Sequence, residues 1–209
     1  MSATAITLAP MSVHVITLYD ADMGRWEPDS IGRLQLAALE LFGERGFEHT
    51  TVAEIASRAG LTERTFFRYF TDKREVLFIG EGALEEVLVG AVAEAPASAS
   101  PIEVVAGALL AMCGVMQDRR EAARKRHAII AANAELRERE LIKLASLASS
   151  LTTSLRARGV SAPIASLAGE AGIAVFRVAF ERWVNEDADD LAVLVLESLD
   201  ELKSVASGE

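Results

Sequence analysis

A chain of 209 residues with 51% hydrophobic and 25% charged side chains has room for a small module and a larger second one. Its formal net charge of −10 excludes a uniformly basic nucleic-acid binder, so any contact with nucleic acid needs a local excess of cations. Cys113 is the only cysteine, which rules out an intrachain disulfide and a thiolate metal cluster and leaves it as a core residue of an apolar helix. No uninterrupted apolar run reaches membrane-spanning length and no basic start leads into an apolar block, so the chain reads as cytoplasmic with no membrane partner.

Residues 1–28 read as a flexible N-terminal extension. The β-branched alternation at Val13, Val15 and Thr17 finds no partner strand, and no Lys or Arg precedes Arg25, which argues against an arm in the minor groove. Met23-Gly24-Arg25-Trp26 looks a more natural start, so translation is expected to begin at Met11 or Met23. Arg25 and Trp26 lie just before the first helix, where either brushes a DNA backbone or Trp26 packs on the module.

From Thr51 to Phe70 the pattern is two short helices around a glycine turn. Thr51 and Glu54 form a capping box, and Val52, Ile55, Ala56 and Ala59 fall at i, i+3, i+4 and i+7 of the helix it opens. Gly60 suits the left-handed conformation that ends a helix, Leu61 plugs the corner, and Thr62 caps a second helix from Glu63 to Tyr69. Within it Phe66 and Phe70 share an inward face, leaving Glu63, Arg64, Thr65, Phe67 and Arg68 for a partner. Arginine offers a fork of donors to guanine or phosphate, and threonine a hydroxyl for phosphate and a methyl for thymine. Asp72 and Glu75 then make another capping pair, opening a helix expected over 72–93 with Lys73 and Arg74 in its first turn. Cations there oppose the helix dipole, which makes sense if a phosphate sits at that end. Caps, a glycine and surface arginines occur in many helical hairpins; it is their joint spacing that points to a helix laid in the major groove.

Charge divides unevenly along the chain. Between residues 58 and 74, Arg58, Arg64, Arg68, Lys73 and Arg74 face only Glu63 and Asp72, while much of the acid follows residue 80, where it repels DNA.

The residues Leu41, Phe42, Gly46 and Phe47, then Thr50, Thr51, Val52, Ile55, Ala56, Ala59, Gly60, Leu61, Thr62, Thr65, Phe66, Phe67, Tyr69, Phe70 and Lys73, closely resemble the DNA-binding domain of the TetR family of bacterial regulators. The resemblance covers roughly residues 30 to 77 and implies that a helix over 31–45 supports the module while the helix over 63–69 enters the major groove. It also implies DNA contacts from Thr51, Thr62, Arg64, Thr65, Phe67, Tyr69 and Lys73. In one respect the chain departs: the family commonly has tyrosine where Phe67 stands, so a hydroxyl suited to phosphate is missing.

Beyond the module, helices are expected near 102–117, 119–132, 135–158, 162–185 and 189–206, with breaks at the proline- and serine-rich residues 95–101 and at Gly159. No phosphate loop, close catalytic dyad or metal motif is legible, which counts against an enzyme. The helix from Pro163 to Asn185 carries small residues (Ala168, Gly169, Ala171, Gly172) beside Ile164, Leu167, Val175, Val178 and Trp183. The last helix has Leu191, Val193, Leu194, Val195, Leu196, Leu199 and Leu202, apolar on too many sides for one wet face. Either one chain buries both helices, or two copies join them in a four-helix bundle, the arrangement that the TetR resemblance implies. Met112, Met116, Arg124, His127, Ile130 and Asn133, with Phe176 and Phe180, suit a pocket for an apolar molecule with a polar end, or else are core filler and surface. The cluster Arg119, Arg120, Arg124, Lys125 and Arg126 either receives an anionic group or is a solvated face paired with Glu121 and Glu135. Residues 129–141 resemble actinobacterial TetR members, including mycofactocin-type regulators that sense acyl-coenzyme A.

The expected fold is all-α, an N-terminal helix-turn-helix three-helix domain over 29–75 and a C-terminal helical ligand-binding and dimerisation domain over 76–209. The expected function is a homodimeric repressor with no cofactor, binding a pseudo-palindromic double-stranded operator. A small apolar or amphipathic effector, acyl-coenzyme A among the candidates, would release it by tilting the helix that starts at Asp72. The alternatives are an activator with the same DNA chemistry and an all-helical enzyme whose helix-turn-helix is scaffold.

Overall fold

The computed structural model describes residues 30–186 and 190–208. The expectations for residues 1–28, including Arg25, Trp26 and the alternative starts, lie outside the described residues. Among those described there are α-helices and 3₁₀ turns and no strand: α1 (Ser30–Arg45), α2 (Val52–Arg58), α3 (Glu63–Tyr69), a 3₁₀ turn (Glu75–Phe78), α4 (Glu81–Glu94), α5 (Pro101–Met116), a second 3₁₀ turn (Gln117–Arg119), α6 (Arg120–Ala132), α7 (Ala134–Ala157), α8 (Ala162–Asn185) and α9 (Leu191–Ser207).

Local chemistry accounts for several boundaries. Ser100 and Glu103 form a capping box at α5, with Pro101 in the first turn, where its missing N–H costs nothing. The single helix expected over 72–93 is instead broken in two. The capping pair is present, since Asp72 Oδ1 accepts from the backbone N–H groups of Arg74 (2.8 Å) and Glu75 (3.3 Å), but it opens only the 3₁₀ turn. Val76, Leu77 and Phe78 are all buried, and three consecutive apolar side chains cannot share the one buried face of a surface helix. The tighter turn points all three inward, and Gly80, at φ +86°, then redirects the chain into α4.

Two apolar cores result. The larger lies among α4, α5, α7, α8 and α9 around Leu109, Met112, Leu151, Phe176 and Trp183. The smaller joins α1–α3 and the first 3₁₀ turn, but it also takes in Ile129 and Ile130 of α6 and Leu136 of α7. The α6–α7 corner is thus built into the core of the helix-turn-helix. Cys113 is buried in the larger core, where burial pushes its thiol up to about 12.

The small residues of α8 serve helix packing within the chain. A Cβ on Gly169 would lie 2.7 Å from Thr152 Oγ1 and 2.8 Å from the carbonyl oxygen of Ala148, both on α7. One on Gly172 would lie 2.4 Å from Val105 Cγ1 of α5. Ala168, Val175 and Trp183 are buried too, as are Leu191, Leu194, Val195 and Leu199 of α9. By length and composition Pro101–Ala132 and Ala162–Asn185 are apolar enough to cross a membrane, yet both contribute buried side chains to these two cores.

Candidate nucleic-acid interface

The helix-turn-helix forms as the residues dictate. Thr51 Oγ1 accepts from Glu54 N at 3.2 Å and Glu54 Oε2 accepts from Thr51 N at 2.9 Å, closing the box that starts α2. These Thr51 hydrogen bonds, with the Arg45 guanidinium at 2.8 Å, hold the Glu54 carboxyl below the usual carboxylate range. Gly60 takes φ +68° after α2. Thr62 Oγ1 then caps α3 by accepting from Thr65 N at 3.2 Å, and it shares a hydrogen bond of 3.1 Å with Thr65 Oγ1.

Phe66 (0% exposed) and Phe70 fix α3 to α1 and α2, and the opposite face presents Glu63, Arg64, Phe67 and Arg68 to solvent. Phe67 is 54% exposed, its ring edge-on to Phe66 with centroids 5.6 Å apart. Arg68 donates to the Tyr69 hydroxyl at 2.7 Å and lies over its ring at 4.7 Å. The pair joins a fork of N–H groups to a phenol O–H, both suited to phosphate oxygens.

The local cation excess is smaller in space than in sequence. Arg58 is paired with Glu40 (3.2 Å) and Glu44 (3.0 Å) of α1, and Arg74 with Asp72 (2.6 Å) and Glu135. Lys73 Nζ, expected to await a phosphate, donates to the carbonyl oxygens of Phe47 at 2.8 Å and Thr50 at 3.2 Å and lies 4.2 Å from the Phe47 ring centre. Of the five cations, Arg64 and Arg68 are the two that stand on the open face of α3.

The residues expected to line a pocket are largely gathered. Met112, Met116, Phe176 and Phe180 belong to one core, and His127 of α6 meets Phe180 edge-on at 5.9 Å. Phe180 also contacts Phe176 (5.7 Å) and Trp183 (5.9 Å). Ile130 and Asn133 do not join them. Ile130 enters the smaller core, and Asn133 Nδ2 donates to the carbonyl oxygen of Ile129 at 2.6 Å.

The basic cluster of α6 divides three ways. Arg120 Nε donates to the carbonyl oxygen of Trp183 at 2.9 Å and Arg124 Nε to that of Val184 at 2.7 Å, capping the C-terminal end of α8 where cations are favoured. Lys125 pairs with Glu121 at 2.8 Å in solvent. Arg126 donates to the carbonyl oxygen of Leu77 (2.6 Å) and to Glu140 (2.9 Å). Glu135, expected to pair with this cluster, pairs with Arg74 instead.

Sequence reasoning missed two sets of residues. One is the junction at Phe78, flanked by the guanidinium groups of Arg126 (5.0 Å) and Arg139 (6.0 Å), with Arg139 also paired to Glu75. The only sequence trace of it is the run Val76-Leu77-Phe78. The other is Trp183, 0% exposed, whose indole N–H has no hydrogen-bond partner among the described residues.

Residues 36–78 match the family described as bacterial regulatory proteins, tetR family, and residues 99–207, more than half of the chain, match the MftR C-terminal domain. The chain belongs to the TetR family. It is therefore a transcription regulator and not an enzyme. The regulator is 41% identical over 81 residues to TcmR of Streptomyces glaucescens, a match covering 39% of this chain and 36% of that protein. It is 33% identical over 90 residues to HbdR of Aromatoleum sp. (strain CIB), covering 41% and 38%. The aligned part thus spans little more than a third of these relatives' length. Among solved structures, a TetR-family regulator from Syntrophomonas wolfei aligns with TM-score 0.62 at 17% identity, over 86% of this chain and 95% of that one. FadR of Thermus thermophilus in complex with lauroyl-CoA aligns with TM-score 0.53 at 23% identity, over 83% and 93%. At such identities the likeness shows the fold.

Proposed function

We propose that the protein is a homodimeric, effector-responsive repressor that acts in the cytoplasm on a pseudo-palindromic operator. The observation that carries this reading is the open face of α3, where Arg64, Phe67 and Arg68 stand out from a helix anchored by Phe66 and Phe70. A helix so mounted fits the major groove, and Thr51, Thr62, Thr65 and Tyr69 flank it with groups suited to phosphate. Lys73 supports the approach by holding the loop before Thr51.

Dimerisation is supported by what remains exposed after the chain has buried its own core. Ile164, Leu167, Ala171, Ala174 and Val178 fall at alternating three- and four-residue spacing along one side of α8, with Ile164, Leu167 and Val178 53%, 73% and 47% exposed. Val193 and Leu196 of α9 are 50% and 44% exposed. Both sequence readings of these helices therefore hold in part: one side is buried within the chain, and the other suits a two-fold bundle with a second copy. A dimer carries two α3 helices, which is what a pseudo-palindrome requires.

The effector is a small apolar or amphipathic molecule taken up among Met112, Met116, Phe176, Phe180 and His127, with the Trp183 N–H as buried donor and Arg124 at the rim. An acyl-coenzyme A fits that description, and the lauroyl-CoA bound by the Thermus protein supports the choice. Coupling runs through α6. Its first turns hold the end of α8 through Arg120 and Arg124, and its last turn is built into the core of the reading head. This replaces a tilt of one helix from Asp72, because the chain breaks at Gly80. The effector releases DNA to the extent that it binds one placement of α6 more tightly than the other.

The test is binding to duplexes from the DNA flanking the gene, followed by transcription of the adjoining genes after deletion. Selective binding with increased transcription is the expected result. Equal affinity for random duplexes would sink the reading, and decreased transcription would make the protein an activator.

A further inference from the structure

We propose that Phe67 is a specificity-determining residue that reads the C5-methyl group of a thymine; the inference rests on the DNA-reading function above. Three aromatic residues of α3 and its cap have different fates. Phe66 and Phe70 are 0% and 7% exposed, whereas Phe67 is 54% exposed in the middle of the open face, one turn on from Glu63 and Arg64. Its ring is braced edge-on by Phe66, with planes at 81°, so it is held in a defined direction.

Phenylalanine has no N–H or O–H group, so Phe67 makes no conventional hydrogen bond to a phosphate or a base edge. A purine or cytosine placed against the ring would surrender hydration at N7, O6 or an exocyclic amine without gaining a partner, which is unfavourable. The one apolar group that the four bases present in the major groove is the methyl of thymine. A fixed apolar ring between arginine-bearing turns therefore selects thymine twice, by burying its methyl and by leaving the other bases unsatisfied. Arg64 and Arg68, on either side, supply the positive charge that brings the face to the groove.

The experiment uses the full chain to select duplexes from a random pool, then replaces each thymine of the selected half-site singly with deoxyuridine, which lacks only the methyl. The expected result is one thymine per half-site whose demethylation weakens binding about fourfold, the worth of one buried methyl group. That effect should vanish in Phe67→Ala and persist in Phe67→Leu, with circular dichroism showing all three proteins equally folded. A selected half-site with no thymine, no demethylation effect, or the same effect in Phe67→Ala would overturn the assignment while leaving the DNA-reading function intact. Failure to select any sequence would overturn both.

Discussion

Lys73 shows how a residue's type can be legible while its use is not. Its place in the motif and its charge suggest a phosphate contact, yet its ammonium group is directed at the carbonyl oxygens of Phe47 and Thr50. Lys73→Ala is therefore expected to weaken binding on every sequence and to lower the melting temperature, because the loop that presents Thr51 loses its anchor. The slope of log K against log salt should stay nearly constant; a slope shallower by about one would instead mark a direct phosphate contact. Arg64 is the opposite case, exposed on the face that points outward. Arg64→Ala is expected to cost about 1–3 kcal/mol on the operator and to relax sequence preference. An equal loss on random DNA, measured by fluorescence anisotropy, would count against base readout.

Among elements, α2 and α3 were legible because their signals are local. Capping boxes, a left-handed glycine and an inward aromatic pair act within a few residues of one another, and each is present in the structure. The break between the 3₁₀ turn and α4 was not legible in the same way. It follows from burying Val76, Leu77 and Phe78 against α6 and α7, partners some fifty residues or more away in sequence. The glycines of α8 were legible as small residues but not by the face they occupy, since that depends on where α5 and α7 lie. Gly169→Ala should destabilise by about 1–3 kcal/mol, because the new Cβ meets backbone as well as a side chain. Gly107 is exposed within α5 with open space around its would-be Cβ, so Gly107→Ala should stabilise by about 0.5–1 kcal/mol. Urea denaturation of both variants tests the contrast, and equal effects would show that helix packing at Gly169 is looser than described.

At the scale of the whole molecule, the order of residues does not give the order of mechanical parts. The chain leaves the helix-turn-helix at Gly80, builds α4 and α5 into the larger core, and returns to the first core through Ile129, Ile130 and Leu136. The ion pairs Arg74–Glu135 and Arg139–Glu75, with Arg126 on the Leu77 carbonyl, join the two ends of this excursion. Residues 75–78 and the α6–α7 corner are therefore expected to open together with α1–α3, as one cooperative unit, while α4 opens with α5 and α8. Native-state hydrogen exchange reads this directly, since amides of one unit share one opening free energy. If Leu77 and Phe78 exchange with α4 and not with Ile129, Ile130 and Leu136, the coupling does not pass through α6. Acid adds an independent check on the same junction. The Arg74 guanidinium beside Asp72 holds that carboxyl below its ordinary range, so its contribution is present above the ordinary carboxylate value and is lost as pH falls through the lowered one. Asp72→Asn should remove that acid limb from the exchange of the reading head and leave the exchange of α8 and α9 unchanged; an equal change in both would place the acid-sensitive group elsewhere.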